Sequence, residues 1–151
     1  MLAATDARQS GYDQVLWTDA FEHKWLQEVG MMNVFFIIDG KVITPSLDDG
    51  CILAGVTRSS AIILLKEMGL VVEERRVNID ELLEAYKRDA LQEVFGTGTA
   101  ATIAMIKELR YKKDVMQFDP GKWKTAPALR DWITDIREGK REDKYEWMWK
   151  V

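Results

Sequence analysis

The stretch that decides the fold is Glu28-Val29-Gly30-Met31-Met32-Asn33-Val34-Phe35-Phe36, continuing through Ile37-Ile38-Asp39-Gly40-Lys41-Val42-Ile43-Thr44. The runs Asn33 to Ile38 and Lys41 to Thr44 predict a β-hairpin, because Asp39-Gly40 accepts the positive backbone angles of a two-residue turn. Pro45 ends it. On the N-terminal side, Glu28 and Asn33 interrupt an otherwise apolar run. Trp25, Leu26, Val29, Val34 and Phe36 draw this segment into a core, so a carboxylate there needs a partner. Either Glu28 pairs with a Lys or Arg at a strand edge, or it serves a site.

Before this stretch, residues 2 to 9 read as a short helix stopped by Gly11, and Gln14 to Trp17 as a strand bounded by Thr18-Asp19. A second strand leads into Glu28. After it, the period changes from two to helical: from Thr57, the residues Ala61, Leu64, Leu65 and Met68 share a face and Gly69 caps the end. Residues 70 to 77 read as a strand. Asn78-Ile79-Asp80-Glu81 resembles a capping box ahead of a helix with Leu82, Leu83 and Tyr86 on its apolar face, ending near Asp89. Val94-Phe95 and Thr102 to Ile106 are strand-like, separated by the loop Gly96-Thr97-Gly98-Thr99-Ala100, whose small residues bring bare backbone close to something. Thr125 or Pro127 starts a last helix with Leu129, Trp132, Ile133 and Ile136 on one face. Residues 139 to 144 form a charged, solvated connector, and the aromatic Tyr145 to Trp149 is expected to pack back onto the domain. Helices and strands alternate irregularly, with hairpins among the strands, which predicts an α+β fold.

The 151 residues, 47% hydrophobic and 30% charged, suit one globular domain with a core. A net charge of -4 without a Lys/Arg block leaves no electrostatic footprint for nucleic acid or an anionic membrane. Cys51 and His23 are single, so an intrachain disulfide is impossible and a structural zinc site lacks its ligands. With no basic-then-apolar leader and no apolar run of spanning length, the expected setting is the cytoplasm.

Val56 and Thr57 stand where a loop becomes a helix, so their N–H groups are unpaired donors at the positive end of the helix dipole, where phosphate binds well. Thr57 could equally be a plain N-cap. Gly98-Thr99-Ala100 offers a hydroxyl and approachable N–H groups, or simply a tight turn. Two such loops beside a semi-buried carboxylate point to a site for a phosphate and a cationic ring.

These residues carry a resemblance more specific than their physics. Gly11-Tyr12-Asp13-Gln14-Val15-Leu16-Trp17, Glu28-Val29-Gly30 with Met32-Asn33, Asp39-Gly40, Leu53-Ala54-Gly55-Val56-Thr57-Arg58, Glu73-Glu74-Arg75-Arg76, Phe95 to Ala100 and Glu146-Trp147-Met148 resemble branched-chain amino-acid aminotransferases. These are fold-type IV enzymes that use pyridoxal 5'-phosphate. The likeness runs in order from about Leu2 to Val151. It implies a single domain, residues 1–151, similar to the C-terminal large domain of the D-amino-acid-aminotransferase-like fold, a mixed sheet or pseudo-barrel with flanking helices.

The resemblance also implies roles. Glu28 contacts the pyridine nitrogen, the N–H groups of Val56 and Thr57 hold the phosphate, and Thr99 assists. Thr99 and Ala100 face the substrate carboxylate, near Met31. Met31 departs from the family's frequent threonine, Ala54 from its proline, and Ala101 and Ala104 from the Cys-x-x-Cys pair of some animal relatives. The family's Schiff-base lysine lies farther before the glutamate than the 27 residues ahead of Glu28. Lys24, the only lysine there, is too near along the same strand, so no catalytic residue is assigned within the chain. The implied function is transamination of leucine, isoleucine or valine with 2-oxoglutarate, with the chain incomplete or inactive alone. The implied partners are amino acids, 2-oxo acids, and a homodimer mate or an N-terminal portion. Alternatives are a non-catalytic assembly module, a D-amino-acid aminotransferase or an aminodeoxychorismate lyase.

Overall fold

The computed structural model describes residues 2–149. The chain runs α1 (Leu2–Gln9), β1 (Leu16–Thr18), β2 (Leu26–Val29), β3 (Met32–Ile38), β4 (Lys41–Thr44), α2 (Val56–Glu67), β5 (Val72–Glu74), α3 (Ile79–Lys87), β6 (Leu91–Gly98), β7 (Thr102–Met105), β8 (Glu108–Tyr111), β9 (Asp114–Gln117) and α4 (Thr125–Arg137). The C-terminal limit of the resemblance, Val151, lies outside the described residues.

The predicted hairpin is the centre of the molecule. Ile38 stands opposite Lys41, and Asp39 and Gly40 take the positive φ values, 51° and 74°, that the turn demands. One edge of β3 pairs with β6 along almost its whole length, so β2 and β4 must share the other. β2 takes Met32 and Asn33, and β4 takes Phe36 to Ile38. At the fork between them the Val34 carbonyl accepts the buried Thr44 hydroxyl at 2.7 Å, which replaces the missing ladder bond. β1 extends β2, β7 extends β6, and β5 extends β4 in parallel. The result is α+β with a mixed sheet, as the sequence predicts.

Alternation along β3 divides the core between the two faces of the sheet. Phe35, Ile37 and Phe95 pack against Leu64 and Leu65 of α2 and Leu129 and Ile133 of α4, with the Phe35 and Phe95 rings stacked at 5.2 Å. Val34, Phe36 and Val94 pack on the opposite face with Leu82 of α3, Met116 of β9 and Phe118. Each of these large side chains contributes about 1.5–3 kcal/mol on burial, which explains why the central strands are the best-determined part of the pattern.

Several boundaries differ from expectation. The first strand is Leu16–Thr18, displaced from 14 to 17. The strand expected over 70 to 77 shrinks to Val72–Glu74, because its partner β4 stops at Thr44, opposite Glu74. Asn78 caps α3 by accepting the Asp80 N–H at 2.8 Å, but Glu81 does not complete the box; it binds Arg75 instead, at 2.5 Å. The β8–β9 hairpin escapes sequence reading because Lys112 takes the positive-φ place (φ 54°) without a glycine to mark it. α4 begins at Thr125 on a device that the sequence does not advertise. The buried Glu93 carboxylate of β6 accepts the N–H groups of Lys124, Thr125 and Ala126, all at 2.8 Å. In the aromatic tail Tyr145 and Trp147 stack at 4.8 Å and pack on the α2/α4 side of the core, whereas Trp149 stays 89% exposed. Among the described residues no helix is long and apolar enough to cross a membrane.

Candidate functional site

Strand register builds the site. Glu28 is the partner of Asn33 across β2 and β3, and Asn33 is the partner of Thr97 across β3 and β6. Partners across a sheet share a face, so the three polar residues form one row on the face covered by α2 and α4. The antiparallel pairing also brings the β2–β3 turn at Gly30-Met31 beside the β6–β7 turn at Thr99-Ala100-Ala101. Met31, Thr99 and Ala100 are exposed at these two adjacent tips.

The expected loop Gly96 to Ala100 is therefore half strand: β6 continues to Gly98 before turning. Its glycines do face close neighbours: Met32 at both, and Val29, whose Cγ1 a Cβ on Gly96 would meet at 3.0 Å. A Cβ on Gly96 would meet Met32 Cε at 3.1 Å, and one on Gly98 would meet Met32 Cγ at 2.9 Å. Gly96 and Gly98 are small for packing, which leaves Thr99 and Ala100 as the loop's candidates for ligand contact.

The row anchors the second loop. One Glu28 oxygen accepts the Leu53 N–H at 3.0 Å, and Asn33 Nδ2 donates to the Leu53 carbonyl at 2.8 Å. Both backbone groups of one residue are thus held by a cross-strand pair of side chains. Two residues later Gly55, not Thr57, is the N-cap of α2, and it brings no side-chain acceptor. The first-turn N–H groups of Val56 and Thr57 consequently have no side-chain cap, at the end of the helix where anions are favoured. Val56 is 84% exposed and Leu53 70%, so this face is open.

Glu28 has no ion-pair partner among the described residues, which removes the strand-edge pairing that the sequence left open. Lys24 lies ahead of β2 rather than within it, pairs with Glu22 at 2.5 Å and sits 5.1 Å over the Trp25 ring. Sequence reasoning missed the structural share of two motifs. Arg58, the last residue of Gly-Val-Thr-Arg, is 3% exposed and donates to the Pro45 carbonyl at 3.1 Å and to Glu74 at 3.0 Å. Arg76 grips both Asp49 oxygens at 2.8 Å, and that carboxylate pushes the guanidinium pKa up. Of the charges in Glu73-Glu74-Arg75-Arg76, Arg76 thus ties down the segment ahead of Leu53 and Glu74 holds Arg58 at the start of α2. Thr97 Oγ1 and Arg58 Nε are buried with no hydrogen-bond partner.

The chain is similar to known proteins over most of its length. Residues 1–109 match the model of the family described as Amino-transferase class IV. A probable branched-chain-amino-acid aminotransferase of Staphylococcus epidermidis is 49% identical over the whole of this chain, which spans 42% of that relative's length. The crystal structure of branched-chain aminotransferase from Thermoproteus uzoniensis with norvaline superposes with a TM-score of 0.79 at 29% identity, over 97% of this chain and 44% of that one. An aminotransferase from Brucella abortus, bound to the co-factor PLP, gives 0.72 at 25% identity, over 89% and 42%. The family match over residues 1–109, on a fold that superposes on solved aminotransferases, places this chain in the class IV amino-transferase family.

Proposed function

We propose that residues 1–151 form one domain that holds pyridoxal 5'-phosphate, as part of an aminotransferase for leucine, isoleucine or valine with 2-oxoglutarate. The observation that carries this reading is Glu28: one oxygen is committed to the Leu53 N–H, and the carboxylate has no cationic partner among the described residues. It suits a protonated ring nitrogen. The uncapped start of α2 and the exposed Thr99 supply donors for a phosphate, so the residues present fit the cofactor by charge and by hydrogen-bonding type.

When bound, the cofactor supplies an electron sink for the substrate carbon that loses a proton. Glu28 would hold the ring nitrogen protonated, Val56 and Thr57 would bind phosphate through their N–H groups, and the Thr99 hydroxyl would add a donor. Ala100, beside Thr99 at the hairpin tip, would present its N–H to a substrate carboxylate, with Met31 on the neighbouring tip. The family's lysine nucleophile is not assigned to any residue of this chain, so turnover requires the rest of such an enzyme, and we assign this chain a homodimer mate or an N-terminal portion as its partner. The unpaired, exposed Cys51 supports a reducing, cytoplasmic setting.

Titration with pyridoxal 5'-phosphate, followed by tryptophan quenching, tests the site directly. Binding should saturate and should weaken by about ten- to a hundredfold in Thr99→Val, the loss of one charge-assisted hydrogen bond. An unchanged affinity would remove Thr99 from the site, and no saturable binding would sink the cofactor reading.

A further inference from the structure

We infer that Asn33 is a positioning residue that sets the span between the Glu28 carboxylate and the phosphate-binding start of α2. Its side chain does two things at once. Nδ2 holds the Leu53 carbonyl at 2.8 Å, while Oδ1 fills the place of a side chain at Gly55, where a Cβ would come within 2.3 Å. Glu28 takes the other backbone group of Leu53, at 3.0 Å. The peptide at Leu53 is thereby docked on the β2–β3 pair as a further strand would be, by side chains in place of backbone.

Consequences follow from the short path between the two ends. Leu53 touches Glu28, Gly55 touches Asn33, and Val56 is the next residue. The carboxylate and the uncapped N–H groups are held in one frame, with Asn33, 5% exposed, as its fixed point. A ligand with a cationic ring nitrogen and a phosphate gains from that frame only when it engages both ends, because preorganisation lowers the ordering cost of joining them. Phosphate alone needs only the local helix start. The frame itself is a property of this chain, and its effect on the ligand rests on the cofactor reading above.

The test compares the chain with Asn33→Leu, which keeps the bulk but removes the donor without adding a charge, and with Gly55→Ala, which presses on Oδ1 from the loop side. Amide exchange followed by NMR should show the Leu53 N–H exchanging about tenfold faster in both variants, as expected on loss of one hydrogen-bonded constraint. The Phe35 and Phe95 amides in the central sheet should keep their protection, which separates a loosened loop from a failing fold. Affinity for pyridoxal 5'-phosphate should fall by about tenfold while that for inorganic phosphate stays within about twofold. Unchanged Leu53 exchange overturns the positioning role, as does equal weakening of both ligands. Faster Leu53 exchange in the variants of a chain that takes up no pyridoxal 5'-phosphate supports the frame and overturns the cofactor reading instead.

Discussion

Glu28 accepts the Leu53 N–H at 3.0 Å through a single oxygen, on a strand where its cross-strand partner Asn33 holds the carbonyl of the same residue. A glutamine at position 28 can keep that hydrogen bond through its carbonyl but cannot balance a positive ring nitrogen. In a full-length enzyme that carries the lysine, Glu28→Gln should lower kcat by about two orders of magnitude, a few kcal/mol of lost electrostatic stabilisation, with much smaller loss of cofactor. Steady-state kinetics beside cofactor titration decide the matter. Equal losses in both would make Glu28 a structural residue.

The Glu93 carboxylate is buried on β6 and takes three N–H groups at the start of α4. Glu93→Gln turns one acceptor into a donor facing these groups, so the helix start loses a cap and gains an unsatisfied contact. Urea unfolding should show a loss of about 2–3 kcal/mol, with the proposed cofactor site, at the other end of β6, little changed. A midpoint equal to wild type would mean that the helix start finds another acceptor.

Asp19 carries the acid dependence that is easiest to read. The N–H groups of Glu22 and Trp25 foremost, with those of Lys24 and Phe21, hold its carboxyl well below the ordinary 3.8. A depressed folded pKa adds stability that is complete above the unfolded value and declines as pH falls below it. Asp19→Asn should therefore be less stable than wild type near pH ~7, and the gap should narrow steadily as pH falls below about 4 without closing by about pH 2. Urea midpoints across that range test it; a constant gap would show that the proton plays no part.

Lys24 is the only lysine ahead of Glu28, and its ion pair with Glu22 and its place over Trp25 turn it to other work. A lysine that attacks a carbonyl must reach it with a free amine, whereas Lys24 is held on Glu22 and over Trp25. Borohydride reduction after treatment with pyridoxal 5'-phosphate, mapped by peptide mass, should find scattered substoichiometric labels, and transamination of leucine by this chain should be undetectable. One stoichiometric adduct at a single lysine, with leucine-dependent glutamate formation, would place the nucleophile inside these residues.

By itself the sequence determined the β3–β4 hairpin, the three longer helices and the α+β class, because Asp39-Gly40 and the runs of Phe, Ile and Val act through local backbone preference and burial periodicity. It also marked Glu28, the Gly55 to Thr57 loop and Thr99 as unusual, since a carboxylate in an apolar run and small residues at loop tips stand out without coordinates. What joins them is long-range. Register alone puts Glu28, Asn33 and Thr97 in one row, and no local pattern states which strand β6 will pair with. That Glu81 leaves its capping box for Arg75, that Gly96 and Gly98 yield space to Met32, and that Glu93 caps a helix more than thirty residues away were settled only by tertiary packing. Glu93 shows the physical reason most clearly: its carboxylate is buried in the folded sheet, where water cannot satisfy it, so the N–H groups of a helix far along the chain do.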